Sequence, residues 1–336
     1  LPRIQEEHFV MMKKEPIWKD REIAALRQQI QQLSNQIAEP SGELAAQRTA
    51  FDAFGASVSL PDDLEVKPIE FDGIDAEVLR TPAMFDRSML LYLHGGGYCG
   101  GSPAGYRGLA SKLASAIGVP ALVPSYRLAP EHPFPAAIED GVRSYEYLLD
   151  AGFDAKRIVI GGDSAGGGLA VAVALQLREK GHPQPAGLLT ISPWSDLTQS
   201  CARLADRLHD PITQPAMMQR FADYYLQKVR PDHPLASPAF ADLDGLAPLL
   251  IQVGAQEVLL SDALQLAESA GIAGVDVHME IWPEMVHVWH LYADWLGAGR
   301  RAIAAAAEWA RRKLDLETDA SGTAATPRIT RTPPTP

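Results

Sequence analysis

The stretch Arg157-Ile-Val-Ile-Gly-Gly-Asp-Ser-Ala-Gly-Gly-Gly-Leu169 constrains this chain more than any other part of it. The β-branched run Ile158-Val159-Ile160 reads as a buried strand and residues 165 to 177 read as a helix, with only Gly162-Asp163-Ser164-Ala165-Gly166 between them. This is the G-x-S-x-G pattern of a tight strand-to-helix elbow, which lifts one side chain clear of the sheet. Gly162 and Gly166 stand where the turn brings backbone against backbone and a Cβ would collide. Ser164 is thereby placed at the N-terminus of a helix, where unpaired N–H groups and the positive dipole end favour developing negative charge. Such a hydroxyl is set for attack on a carbonyl. In a glycine-rich chain the pattern alone also fits a plain structural turn, so a base, an acid and an oxyanion hole have to be found elsewhere.

The rest of the chain supplies a frame for that elbow. Strands are expected at 65–71, 75–80, 88–93, 121–125, 157–161, 187–192, 248–253 and 276–282, with Asp72-Gly73 as hairpin turn between the first two. Helices are expected at 104–117, 135–150, 165–178, 214–229, 262–270 and 291–314. Strands alternating with helices imply a mainly parallel sheet covered on both faces. Residues 193–242 break the alternation and have the character of a lid or cap inserted between strands. Near the N-terminus, Ile23, Leu26, Ile30, Leu33 and Ile37 fall on one stripe of a helix spanning 19–39. That stripe either packs on its own body or forms a homodimer contact. The expected organisation is a helical extension and cap part over 1–55, a catalytic core over 56–196 and 243–316, a cap insertion over 197–242, and a disordered Ala/Thr/Pro-rich tail over 317–336.

Composition narrows the partners. A net charge of −12 disfavours nucleic acid and anionic membrane. No apolar run is long enough to cross a bilayer, so no stable membrane insertion is expected. Residues 1–14 lack the apolar core of a secretory signal and do not begin with Met, which suggests a processed N-terminus. Cys99 and Cys201 form no metal-spaced cluster and read as free thiols of a cytoplasmic enzyme, Cys99 as a small filler. No metal and no cofactor is expected.

The missing chemical partners have natural positions. His94-Gly-Gly-Gly-Tyr-Cys-Gly-Gly101 follows a strand, and its consecutive glycines let main-chain N–H groups turn inward, suiting an oxyanion hole built from Gly96, Gly97 and Ala165. A phosphate loop is the competing reading, but no Gly-Lys-Ser/Thr follows. Beyond the last strand, Trp282-Pro-Glu-Met-Val-His-Val-Trp-His290 carries two histidines. His287 lies in the immediate loop and is the better placed base; His290 falls at the start of the last helix and reads as a core or capping residue. After the preceding strand, Glu257 and Asp262 are candidates for the carboxylate that orients the imidazole. Glu257 is nearer the strand tip, while Asp262 looks like a helix N-cap. Tyr98, Met217, Met218, Phe221 and Tyr224, with Tyr225, are candidate pocket residues or plain cap core.

His94-Gly-Gly-Gly97, Ser125-Tyr-Arg-Leu-Ala-Pro-Glu-His-Pro-Phe-Pro135, Gly162-Asp-Ser-Ala-Gly-Gly167 and Ser192-Pro-Trp-Ser-Asp196 together resemble the hormone-sensitive-lipase-like group of α/β-hydrolase esterases, over residues 41–314. The resemblance implies the α/β-hydrolase fold with an eight-stranded sheet, a cap made of the N-terminal helices plus an insertion after the sixth strand, and a carboxylesterase for short to medium acyl chains. Carried over by position, Ser164 matches the nucleophile, His287 the base, and Gly96, Gly97 and Ala165 the oxyanion donors. Asp163 and Glu131 would brace the elbow. Alternatives on the same residues are an amidase or lactonase, and, from another class, a ligand receptor that has lost catalysis. The chain departs from the group in three places. Glu257-Val258-Leu259 replaces an Asp-Pro-Leu frame, Glu284 replaces a glycine before Met285, and Val288-Trp289 replaces Gly-Phe after the base. The last two bear on the shape of the loop, not on the base itself.

Overall fold

The structure is a computed structural model and describes Glu22, Ala25, Leu26, Gln28, residues 43–200, Asp210 and residues 212–316. Cys201, the tail over 317–336 and most of the 19–39 stripe lie outside the described residues. Of that stripe, Leu26 is buried with Trp289, Tyr292 and Leu296.

Eight strands form one sheet in the order β1-β2-β4-β3-β5-β6-β7-β8. They are β1 Glu65–Phe71, β2 Ile74–Arg80, β3 Met89–Leu93, β4 Ala121–Pro124, β5 Ile158–Asp163, β6 Gly187–Ile191, β7 Leu249–Gly254 and β8 Val277–Trp282. β1 and β2 are antiparallel and meet at a tight turn, with Phe71 opposite Ile74 and both Asp72 (φ 47°) and Gly73 (φ 73°) left-handed. β2 pairs antiparallel with β4, and every later pairing is parallel.

The central strands are apolar throughout because both faces are covered. On β3, Met89, Leu91 and Leu93 face one layer while Leu90 and Tyr92 face the other. The first layer holds α3 (Ala136–Asp150), α4 (Ala165–Glu179) and α6 (Leu260–Ile272). The second holds α2 (Pro103–Ile117) and α7 (Gly297–Lys313), where Leu109, Leu113 and Ile117 meet Ile303, Ala306 and Ala310. Burying each such leucine or isoleucine contributes about 2 kcal/mol. Local signals set the ends of α2: Ser102 Oγ accepts the Gly105 N–H at 3.1 Å, Pro103 opens the first turn, and Gly118 closes it at φ 88°.

Two elements differ from expectation. The last helix begins at Gly297, not residue 291, because Trp289–Tyr292 tightens into a 3-10 turn and Leu296 is extended (ψ 112°). His290 therefore lies in that turn and not on the helix. α6 begins at Leu260, so Asp262 is inside its first turn and not the N-cap; its Oδ2 instead accepts the Asp196 N–H at 3.0 Å. Outside the layers, α1 (Leu44–Gly55) packs on α2, and the connection from β6 to β7 carries α5 (Pro215–Leu226).

Candidate active site

The strand ends of β5, β6 and β7 and the loop after β8 converge at one edge of the sheet. Ser164 follows β5 at φ 54°, ψ −122°, a conformation held by its surroundings: its N–H donates to Ile191 O (2.8 Å), and its carbonyl accepts from Gly167 N (3.0 Å) and Trp194 N (2.8 Å). A Cβ on Gly162 would strike the Gly166 carbonyl, and one on Gly166 would strike the carbonyl oxygens of Leu93 and His94. These are the close approaches that the elbow pattern requires.

His287 lies 3.0 Å from Ser164 Oγ through Nε2 and 2.8 Å from Glu257 Oε2 through Nδ1. A carboxylate only accepts, so Nδ1–H donates to Glu257 and Nε2 is left to accept from the serine hydroxyl. Glu257 is fully buried, and its other oxygen accepts from Gly254 N (2.5 Å) and Ser192 Oγ (2.8 Å), which compensates its desolvation. Burial alone would lower the proton affinity of His287, but the Glu257 hydrogen bond and the charges of Glu257, Asp210 and Asp163 raise it above the ordinary imidazole value. The extra methylene of Glu257, compared with an aspartate, does not prevent contact. Asp262, the other candidate acid, is bonded to the Asp196 N–H instead. His290 is a core residue: Nε2 lies 2.8 Å from Gln252 Oε1, and burial pushes its pKa down to about 3.

The glycine loop approaches from β3. Gly96 (φ 112°) and Gly97 (φ 63°) are left-handed, and a side chain on either would strike Gly100 O or the Phe221 ring. Among the described residues, the N–H groups of Gly96, Gly97 and Ala165 donate to no protein acceptor. The loop is anchored from below. Asp163 Oδ1 accepts from Gly95 N (3.1 Å) and Tyr92 OH (2.7 Å), Tyr126 OH donates to His94 O (2.7 Å), and Arg48 Nε donates to Cys99 O (2.6 Å). Burial raises Asp163 to about 6, against the pull of the Tyr92 hydroxyl and the nearby His287. Asp163 thus braces the glycine loop against the elbow. Glu131 does not: it is half exposed and pairs with Arg48 of α1 at 2.6 Å, so it fastens that helix to the loop instead.

Above Ser164 sits a cavity of about 80 Å³, reached by Gly96, Gly97 and His287. Of the sequence candidates, Met217, Met218 and Phe221 line it; Tyr98 and Tyr224 do not. Tyr98 is instead stacked on Tyr225 (3.9 Å, 6°), one turn of α5 beyond the cavity. Phe51 and Phe54 of α1, with Thr213, Leu259, Leu291 and Tyr292, complete much of the wall. The aromatic pair on α1 is within reach of sequence reasoning, since the N-terminal helices are expected to contribute to the cap. Asp210 carries no such signal, because it acquires its role only through a residue distant in sequence: it accepts from Val258 N (3.1 Å), while Ser192, in the Ser192–Asp196 motif, also accepts from Val288 N (3.2 Å).

Comparison with known proteins agrees with this architecture. A family model described as an alpha/beta hydrolase fold matches residues 90–291. An "Acetyl-hydrolase" of Streptomyces hygroscopicus is 45% identical over 276 residues, 81% of this chain and 91% of that protein. An "Esterase" of Acinetobacter venetianus is 35% identical over 256 residues, 76% of this chain and 84% of its own length. Among solved structures, an esterase from the bacterial hormone-sensitive lipase family superposes with TM-score 0.83 at 40% identity, covering 88% of this chain and 99% of that one.

Proposed function

The chain belongs to the alpha/beta hydrolase family, within its hormone-sensitive-lipase-like esterases, and from that premise we propose that it is a serine carboxylesterase acting on short-chain esters. The observation that carries this reading is the hydrogen-bonded series Glu257–His287–Ser164, at 2.8 and 3.0 Å, beneath an apolar cavity. In it, His287 Nε2 takes the proton of Ser164 Oγ as that oxygen attacks the ester carbonyl. The oxyanion is received by the N–H groups of Gly96, Gly97 and Ala165, which have no protein acceptor to give up and need no reorganisation. The imidazolium protonates the leaving alcohol. Water then gives a proton to His287, attacks the acyl carbonyl and releases the acid, returning Ser164 Oγ–H. Glu257 keeps Nδ1 protonated and offsets the imidazolium charge at each passage. The described residues of the expected insertion, with α1, serve as a cap over Ser164, which is supported by Phe51, Phe54, Met217, Met218 and Phe221 lining the cavity. The apolar wall suits an acyl group, and the similarity to an acetyl-hydrolase points to a short one.

The direct test is Ser164→Ala with an activated acetyl or butyryl ester. Turnover should fall by about three orders of magnitude or more, and labelling by a fluorophosphonate probe should disappear. Full hydrolysis by the variant ends the proposal.

A further inference from the structure

We propose that Asp210 is a positioning residue for this hydrolysis: it anchors the loop carrying Glu257 through the Val258 N–H, and it adds its negative charge to those of Glu257 and Asp163 around His287. The inference rests on the esterase reading and deepens it. Asp210 stands between β6 and α5, far in sequence from the acid loop, yet both its oxygens are engaged at that junction. Oδ1 accepts from Ile212 N (2.9 Å) and Thr213 N (3.0 Å), so it shapes its own turn. Oδ2 accepts from Thr213 Oγ1 and, across the gap, from Val258 N at 3.1 Å. Val258 directly follows Glu257, so a bond to its amide limits where the acid loop can sit. The bond depends on the residue at 258: a proline there would have no N–H to give. Thr213 and Leu259, the neighbours of the two ends of this bond, both line the cavity, which ties the cap insertion to the catalytic loop.

The charge matters separately. Three carboxylates act on His287: Glu257 through its hydrogen bond, Asp163 at the end of β5, and Asp210. Each negative charge stabilises the imidazolium, so each raises the pH below which the base is protonated and the enzyme idle. Removing the charge of Asp210 lowers the proton affinity of His287 and moves the acid limb of kcat/KM, which reports the free enzyme's base, to lower pH.

Three variants at one position separate charge from anchorage. Asp210→Asn keeps an acceptor oxygen and removes the charge: its acid limb should move to lower pH, with kcat reduced by about tenfold. Asp210→Glu restores the charge and should keep the acid limb of the unaltered enzyme. Asp210→Ala also loses the anchor and should lower kcat further; added to Val258→Pro, which removes the donor, it should cost little more than either alone, because one bond cannot be lost twice. Thermal melting checks that each variant is folded. An acid limb in Asp210→Asn that superposes on that of the unaltered enzyme, or fully additive losses in the double variant, overturns the proposal. If Ser164→Ala in the same assay retains full activity, the esterase reading fails and this inference fails with it; if Ser164→Ala is inactive, those outcomes count against Asp210 alone.

Discussion

The elbow half of the site and the base half both contain left-handed backbone, and they differ in the room they leave for a side chain. On the elbow side Gly96 (φ 112°) and Gly97 (φ 63°) are left-handed beside Tyr98 (φ 61°) and Ser164 (φ 54°), while Gly162 and Gly166 flank Ser164 where there is no room for a Cβ. On the base side Ser192 (φ 47°), Glu284 (φ 60°) and Val288 (φ 47°) adopt the same region with side chains attached. The difference follows from space, not from torsion. A Cβ at 96, 97, 162 or 166 would meet another backbone or a ring. Glu284 by contrast is exposed, and Val288 turns its side chain into the cavity wall while its N–H is held by Ser192 Oγ. Positive φ without glycine costs on the order of 1–3 kcal/mol, which hydrogen bonds and burial can offset. A collision with a carbonyl oxygen can be relieved only by moving the sheet.

The sharpest way to break this comparison is to show that the base half is not chemical at all. Glu257→Ala should lower kcat by about four orders of magnitude, as removal of an orienting acid does, whereas Asp262→Ala, which loses a bond to the Asp196 N–H, should change kcat by less than about tenfold. Steady-state kinetics on folded protein checks both. The opposite ranking would move the acid to Asp262 and remove Glu257 from the mechanism.

The same contrast explains what was legible in the sequence. The alternation of strands and helices could be read because a parallel sheet buried on both faces leaves unbroken apolar runs such as Met89–Leu93. The elbow could be read because its glycines are forced by contacts within a short span of chain. Glu257 and His287 could be ordered by their place after successive strands. The start of α7 could not, since Trp289, Tyr292 and Leu296 keep a helix-like spacing while packing around Leu26 in a different backbone. Nor could the division among the aromatic residues near α5: Phe221 and Tyr225 lie on one helix face, and only the length of the cavity decides that the first lines it and the second stacks on Tyr98. The local pattern specifies which face a residue takes, but its partner along that face depends on the tertiary arrangement.

A methyl group tests the elbow side. Gly166→Ala places a Cβ against the carbonyl oxygens of Leu93 and His94, atoms of the sheet and of the glycine loop that cannot swing away. The expected cost is about 3 kcal/mol of stability, read from denaturant unfolding, with turnover lost beyond what the remaining folded fraction explains, because the relief must displace the glycine loop beside Ser164. An alanine tolerated with neither effect would mean that the contact is relieved by small motions, and that space does not separate the two halves.

The mildest test lies on the base side, where the reverse substitution should be tolerated. Glu284 is exposed and left-handed, so Glu284→Gly removes the torsional strain without giving up buried surface. Against that gain of about 1 kcal/mol stands the extra freedom of glycine in the unfolded chain, of similar size or smaller. The net expectation is a melting temperature unchanged or raised by about 2 °C, with kcat/KM within about twofold, since the imidazole is held by Glu257 and the following turn by Ser192, not by the residue at 284. A clear drop in melting temperature would show that Glu284 stabilises the loop through its side chain. The absence of glycine there would then reflect a requirement for the carboxylate, and torsional tolerance would no longer be enough to explain how this loop keeps its shape.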